Sequence, residues 1–167
     1  MLKKVRVQII TDRYEVKGSL YNKAERSPSD LPVNDAEHME MTVEARYHDD
    51  GSRVCISYKE SELSGMAGST TSVSFHKSEP QTVSMLRDGT VKTALILEQG
   101  KRHLCVYQTP IMPFEVCVYT RSIQNAIEQE GVLALDYTVE LRGAQAERTK
   151  LSMRVLPWFD QPKPAKR

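Results

Sequence analysis

Apolar and polar residues alternate with a period of two along most of the chain, and each alternating run ends in turn-forming residues. In the first run, Val5, Val7 and Ile9 share one parity, and charged or polar residues hold the other. Successive side chains of a strand point to opposite faces, so this pattern is typical of half-buried strands in an antiparallel sheet. The spacing of runs and turns predicts about eight to ten strands.

Short turns separate several of the predicted strands. Asp49-Asp50-Gly51, Asp88-Gly89 and Gln99-Gly100 each combine a polar residue with a glycine, which is the usual chemistry of a tight hairpin turn. Residues 22–37 instead break the alternation with prolines, serines and charges. We expect this stretch to form an exposed loop or the mouth of the fold.

One segment, residues 122–130, has a helical pattern. Ser122 is a candidate N-cap, and Ile123 and Ile127 are four residues apart, as on one face of a helix. Gly131 is a natural helix stop. The sequence therefore predicts one short helix before the last two strands.

Many short strands, each with one apolar face, would leave long exposed edges in a flat open sheet. The sequence therefore predicts an all-β protein, a single antiparallel meander β-barrel over residues 1–157, followed by a C-terminal tail at residues 158–167. A two-sheet sandwich is the alternative architecture. The meander order favours the barrel.

Composition narrows the functional classes. The 23 basic and 22 acidic side chains of the 167 residues nearly cancel and are interspersed, which argues against binding to nucleic acid or to an anionic membrane. Three cysteines without a C-x-x-C pair suggest a reducing compartment, and no signal-peptide-like or bilayer-length apolar run occurs. Four scattered histidines predict no metal site. We expect a cytoplasmic protein without a cofactor.

Extending the inward parity of the strands past their apolar residues reveals candidate site residues. The parity of the third strand leads to Glu60 and Glu62, that of the fifth to Arg87, and that of the seventh, through Leu104 and Val106, back to Arg102. Buried charges are costly unless they pair or meet a ligand, and the arginine fork suits a carboxylate or phosphate. Two interpretations stay open: a polar ligand pocket, or a structural ion-pair network that closes one barrel end.

Other residues are weaker candidates. Thr70 and Thr71 end a Gly/Ser/Thr-rich segment that could present N–H groups and hydroxyls to an anion, although an ordinary polar loop has the same composition. His103 and Tyr107 share one parity with Cys105, and Tyr119 shares another with Glu115 and Cys117. If the two strands are neighbours, His103 beside a cysteine would be the minimal arrangement for a thiolate nucleophile. A second, semi-buried face is the alternative.

An ordered series of motifs resembles a bacterial family. The motifs are SYKESELSGMAGSTT at 57–71, RDG at 87–89, EQGKRHLCVYQTP at 98–110, VYT at 118–120 and LDYTVEL at 135–141. This series is similar to that of the YwiB-like proteins, a domain of unknown function, from about residue 4 to residue 156.

The resemblance implies a lipocalin-like, calycin-type barrel and no established reaction. Leu63, Ser64, Ala67 and Ser69 depart from the family pattern, and so do Ile111 and Pro113. Because the acidic residue of the pattern is missing at position 67, a catalytic role for that side chain is disfavoured.

The leading functional hypothesis is a binding module for a small polar or amphipathic molecule, with arginines facing its anionic part. The alternative is a filled barrel that acts through protein–protein contacts, with a homodimer as the simplest partner. An enzyme that uses Glu60 or Glu62 as an acid or base is the third hypothesis.

Overall fold

The computed structural model of the protein describes residues 1–16, 37–60, 68–141 and 146–156. Ten strands and one short helix follow one another in these ranges. They are β1 (Leu2–Val16), β2 (Glu37–Asp49), β3 (Arg53–Lys59), β4 (Thr70–His76), β5 (Thr82–Asp88), β6 (Lys92–Glu98), β7 (Arg102–Gln108), β8 (Pro113–Ala126), α1 (Ile127–Glu130), β9 (Val132–Leu141) and β10 (Ala146–Leu156).

The strands form one closed antiparallel barrel. Each strand pairs with the next along the chain, and β1 also pairs with β10, so that the sheet has no open edge strand. The predicted all-β meander barrel with one short helix is therefore confirmed, and the sandwich alternative is wrong. The predicted C-terminal tail, residues 158–167, lies outside the described residues.

The inward-facing side chains divide the barrel into two halves. At the end where the odd-numbered strands begin, the interior is filled by apolar side chains and α1 contributes the buried Ile127. We call this the packed end, and the opposite end, where the odd-numbered strands finish, the cavity end. Fully buried core side chains include Val7, Val54, Ile56, Val73, Val83, Met85, Leu97, Leu133 and Met153.

Two of the predicted turns show clear local causes. At the β2–β3 turn, Gly51 has a φ of 95°, and the Asp50 carboxylate accepts hydrogen bonds from the backbone N–H groups of Ser52 and Arg53. At the β6–β7 turn, Gly100 has a φ of 76°. Both glycines adopt left-handed conformations that other residues seldom tolerate, so the sequence marks these turns reliably.

The helix prediction for residues 122–130 is wrong in its extent. Strand β8 continues to Ala126, and the helix covers only Ile127–Glu130 before Gly131 ends it with a φ of 72°. A spacing of four residues places two side chains on one face in a strand as well as in a helix, so Ile123 and Ile127 fit both patterns. Pairing with β9, after a bulge near Thr120, selects the strand.

The predicted orientation of β7 is also wrong. Leu104 is 65% exposed and Val106 is 46% exposed, whereas Cys105 is buried in the core. The inward face of β7 therefore carries His103, Cys105 and Tyr107. Both parities of this strand are partly apolar, so alternation alone could not choose between them. Pairing of Cys105 with the buried Val116 of β8 decides the face.

Candidate functional site

A cavity of about 450 Å³ occupies the cavity end of the barrel. It lies between the ends of the odd-numbered strands and the starts of their neighbours. A volume of this size falls in the usual range for sites that hold a small molecule. Apolar residues line part of the wall, including Ile9, Met39, Met41, Leu95 and Leu151, and the remainder carries polar and charged side chains.

A polar row crosses one wall of this cavity. The register pairs Tyr58 with Thr71, Thr71 with Arg87, Arg87 with Thr93, and Thr93 with Tyr107. Directly paired residues of neighbouring strands share a face, so all five side chains point inward. This single row of paired residues therefore marks the level at which the interior of the barrel changes from apolar to polar.

Glu60, Thr71 and Arg87 form a hydrogen-bonded chain at this wall. The Thr71 hydroxyl donates to Glu60 Oε1 at 2.7 Å, and Arg87 Nε donates to Thr71 Oγ1 at 3.2 Å. Arg87 Nη2 lies 3.7 Å from Glu60 Oε1, close enough for an ion pair and too long for a good hydrogen bond. Since the Glu60 side chain is only 3% exposed, Thr71 and Arg87 compensate a buried carboxylate.

Arg87 retains unused hydrogen-bonding capacity. A guanidinium has five N–H donors, and in the described residues only Nε donates a hydrogen bond, to Thr71. The Arg87 side chain is 19% exposed and lines the cavity. The remaining donors therefore face a space that is large enough for a ligand.

Three tyrosines add hydroxyl groups to the same cavity. Burial raises the pKa of Tyr107 to about 12, and burial together with the nearby Glu60 carboxylate raises the pKa of Tyr58. Burial also raises the pKa of Tyr137, which the positive charges of Arg87 and Arg13 partly oppose. All three hydroxyls therefore stay protonated at neutral pH and can donate hydrogen bonds.

The wall formed by β1 and β10 carries charges that the sequence analysis missed. Arg13, Glu15 and Glu147 line the cavity, and the register pairs Glu15 directly with Glu147. Partial burial raises the pKa of Glu147; Arg13 opposes this shift, and the acidic neighbours Glu37 and Glu15 add to it. Extending the inward parity of the first strand beyond Ile9 would have found Arg13 and Glu15.

Several predicted site residues lie elsewhere. Arg102 is exposed on the outer face, where its guanidinium stacks 5.2 Å from the centre of the Tyr119 ring, so the predicted inward orientation of Arg102 is wrong. Thr70 also faces outward and lines a second pocket of about 740 Å³, together with residues of β2 and β3. Glu62 lies outside the described residues. Of the predicted set, the structure brings together Glu60, Thr71, Arg87 and Tyr107.

His103 lies at the packed end, away from the cavity. Its Nε2 is 3.1 Å from Glu98 Oε1, and Lys101 Nζ binds the other Glu98 oxygen at 2.7 Å. Cys117 pairs with the outward-facing Leu104, so it lies on the opposite face of the sheet from His103. Burial raises the pKa of Cys117 and disfavours its thiolate. The hypothesis of a His103–cysteine nucleophile is therefore wrong for Cys117.

The described part of the chain contains neither a candidate metal site nor a helix that could span a membrane. Among the described residues, no three His, Cys, Asp or Glu side chains are grouped so that they could hold a metal ion. Within the same ranges, no helix is long and apolar enough to cross a bilayer.

Comparisons with known proteins agree with this fold. The chain is similar to the YwiB protein from Bacillus subtilis, whose crystal structure superimposes with a TM-score of 0.63 and 16% sequence identity over 93% of this chain and 95% of that one. At this identity the likeness shows the fold alone. No curated protein matches the chain. Residues 29–153 match the model of a domain of unknown function, DUF1934, which confirms the resemblance seen in the sequence. The chain therefore belongs to the DUF1934 family.

Proposed function

We propose that this protein is a cytoplasmic binding module that holds one small polar or amphipathic molecule in its barrel, with the anionic group of that molecule at Arg87. The observation that carries the proposal is the Arg87 guanidinium, which lines a cavity of about 450 Å³ and, within the described residues, donates one hydrogen bond, to Thr71. Charge-assisted hydrogen bonds from arginine to a carboxylate or phosphate are among the strongest in proteins. The Tyr107 hydroxyl, two strands away in the same row, supplies a further donor.

The apolar part of the cavity wall supports an amphipathic ligand. Ile9, Met41, Leu95 and Leu151 lie on the interior side of the polar row and are continuous with the core. Ligand sites commonly combine a mostly apolar wall with a few convergent polar groups that fix orientation. The resemblance to lipocalin-like barrels adds support by analogy of fold only.

A catalytic role for Glu60 is less favoured. Its carboxylate is buried, accepts the Thr71 hydrogen bond and lies beside Arg87. These contacts hold the carboxylate in a fixed position, which suits a structural partner of Arg87 better than a proton-transfer group. Glu60 therefore serves to hold Arg87 in place.

The test is direct binding of short carboxylates to purified protein. Isothermal titration with hexanoate and octanoate compares the wild type with Arg87→Gln. Loss of one charge-assisted contact is expected to weaken binding by roughly tenfold or more. Native mass spectrometry of the freshly purified protein adds an independent search for a bound small molecule.

Arg102→Gln is the matched control, since it removes the same charge from the outer face of the barrel. Its affinity is expected to equal that of the wild type. Equal losses in both variants would indicate a non-specific charge effect, and unchanged affinity in Arg87→Gln would contradict the proposed site.

A second candidate function, self-association, rests on a different observation. The outer faces of β5, β6 and β7 expose four large apolar residues, Leu86, Ile96, Leu104 and Val106. Exposed apolar patches with charges only at the rim are typical of protein interfaces, and Asp88, Lys92 and Lys101 border this one.

A second copy of the chain is the proposed partner. Analytical ultracentrifugation is expected to show a dimer of the wild type and a monomer of the Leu104→Glu variant. A wild-type protein that is still monomeric at a concentration on the order of 100 µM would contradict self-association.

A further inference from the structure

Among the described residues, the charges that line the cavity do not cancel. This part of the lining contains two arginines, Arg13 and Arg87, and three glutamates, Glu15, Glu60 and Glu147. Glu60 is compensated by Thr71 and Arg87, as described above. The surplus negative charge therefore lies on the wall formed by β1 and β10, where Glu15 and Glu147 face each other.

These two carboxylates form a like-charge pair across neighbouring strands. Like charges directly opposite each other on one face of a sheet repel and destabilise the pair. Among the described residues, Arg13 forms neither an ion pair nor a hydrogen bond with Glu15 or Glu147. The raised pKa of Glu147, to which Glu15 and Glu37 contribute, agrees with incomplete compensation by Arg13.

A threonine on the same wall adds a polar group. Thr11 is only 4% exposed and lines the cavity beside Arg13 on β1. A threonine hydroxyl can both donate and accept a hydrogen bond, so Thr11 is able to bind a polar group of a ligand next to the two carboxylates.

The two walls lie on opposite sides of the barrel. In the closed order of ten strands, β5 and β10 are separated by five strand positions in either direction. Arg87 on β5 and Glu147 on β10 therefore lie on opposite walls of the cavity that both line. A simple anion bound at Arg87 would add a further negative charge to a lining whose described residues already carry one more acidic than basic side chain.

We infer that the ligand of this cavity is zwitterionic, with its anionic group at Arg87 and its cationic group at Glu15 and Glu147. This inference rests on the proposed function, because it assigns a second contact to the same ligand. A cationic group between the two carboxylates relieves their repulsion, and ammonium donors suit carboxylate and hydroxyl acceptors. The chemical class is a small amino acid whose amine and acid are separated by an apolar spacer.

The experiment uses probes of equal length that differ only in charge. They are 6-aminohexanoate, hexanoate and hexylammonium, together with the corresponding four-carbon and eight-carbon sets. Isothermal titration at neutral pH measures each affinity. At the spacer length that fits best, the zwitterion is expected to bind the wild type about tenfold more tightly than the simple acid, the value of one additional charge-assisted contact.

Variants locate each contact. In Glu147→Gln the preference for the zwitterion over the acid is expected to fall several-fold, and Glu15→Gln is expected to act in the same direction. In Arg87→Gln, the zwitterion and the simple acid are both expected to lose affinity. Glu79→Gln, which removes an exposed carboxylate outside this cavity, is the control and leaves all affinities unchanged.

The outcomes separate the two proposals. If hexanoate binds as tightly as 6-aminohexanoate at every spacer length, or if Glu147→Gln leaves the preference intact, the zwitterion inference is overturned while the Arg87 site stands. If none of the probes binds, the proposed function and this inference both fail.

Discussion

The two ends of this barrel are built from the same strands and the same inward parity, yet their interiors differ. At the packed end, Phe75, Leu97, Leu133 and Met153 fill the space between the strands. At the cavity end, the same inward positions carry threonines, tyrosines, arginines and glutamates around a cavity. Close packing of apolar side chains stabilises a fold, and unpaired polar groups cost stability unless they bind something. The packed end therefore stabilises the barrel, and the cavity end is where we propose that a ligand binds.

The largest expected effect tests the packed end directly. Leu97→Ala removes a fully buried side chain and is expected to lower the free energy of unfolding by about 2–5 kcal/mol. Leu2→Ala makes the same chemical change at a position of β1 that is 60% exposed and should cost well under 1 kcal/mol, roughly the range of surface substitutions. Urea denaturation measures both. Similar losses in the two variants would contradict the burial of Leu97 at the packed end.

A smaller effect is expected at the polar row. Thr71→Val keeps the side-chain shape but removes the hydroxyl that donates to Glu60 and accepts from Arg87. Loss of a partner by a buried carboxylate should cost about 1–3 kcal/mol. Thr70→Val, one residue away on the outer face, is the control. Combining Thr71→Val with Glu60→Leu should recover part of the loss, because the buried charge is then absent; a purely additive loss would argue against the hydrogen bond.

Replacing Gly131, the residue that ends the helix at the packed end, is expected to lower the free energy of unfolding by about 1 kcal/mol. Gly131 has a φ of 72°, and an added Cβ would lie 3.3 Å from the Val155 carbonyl oxygen. Gly131→Ala imposes left-handed strain on an L-residue, whereas Gly131→Asn places a more tolerant residue at the same position. Thermal unfolding should rank glycine above asparagine and asparagine above alanine. If alanine and asparagine are equal, contact with Val155 rather than backbone strain sets the cost.

The smallest effect concerns the pH dependence of stability at the β2–β3 turn. Hydrogen bonds from the backbone N–H groups of Ser52 and Arg53 lower the pKa of Asp50 to about 2. A carboxyl whose folded pKa is depressed stabilises the fold above its unfolded pKa, and this contribution is lost as the pH falls towards about 2. Asp50→Asn cannot titrate, so its stability should fall less than that of the wild type between pH 5 and pH 2, roughly the window set by the two pKa values. Parallel pH profiles would contradict this role.

Residues of the candidate site could be predicted from the sequence where a strand stays regular to its end, because the alternation of inward and outward side chains then continues beyond the apolar residues. Arg87 and Glu60 follow directly from the buried residues before them, and the same extension on β1 reaches Arg13 and Glu15. Glu147 is reached by extending β10 backward from Leu151. The predicted inward orientation of Arg102 was wrong because β7 has apolar residues on both of its faces, so the local pattern could not show which face is inward.

The sequence by itself determined the class of fold, the turns and the residues that alternate between inside and outside, because these depend on local backbone geometry and on the period of side-chain direction. Only the tertiary structure decided which face of β7 is inward, how far β8 extends, and that Arg87 and Glu147 lie on opposite walls of one cavity. Those features depend on the register and closure of the sheet. They arise between residues that are distant in sequence, where local alternation carries no information.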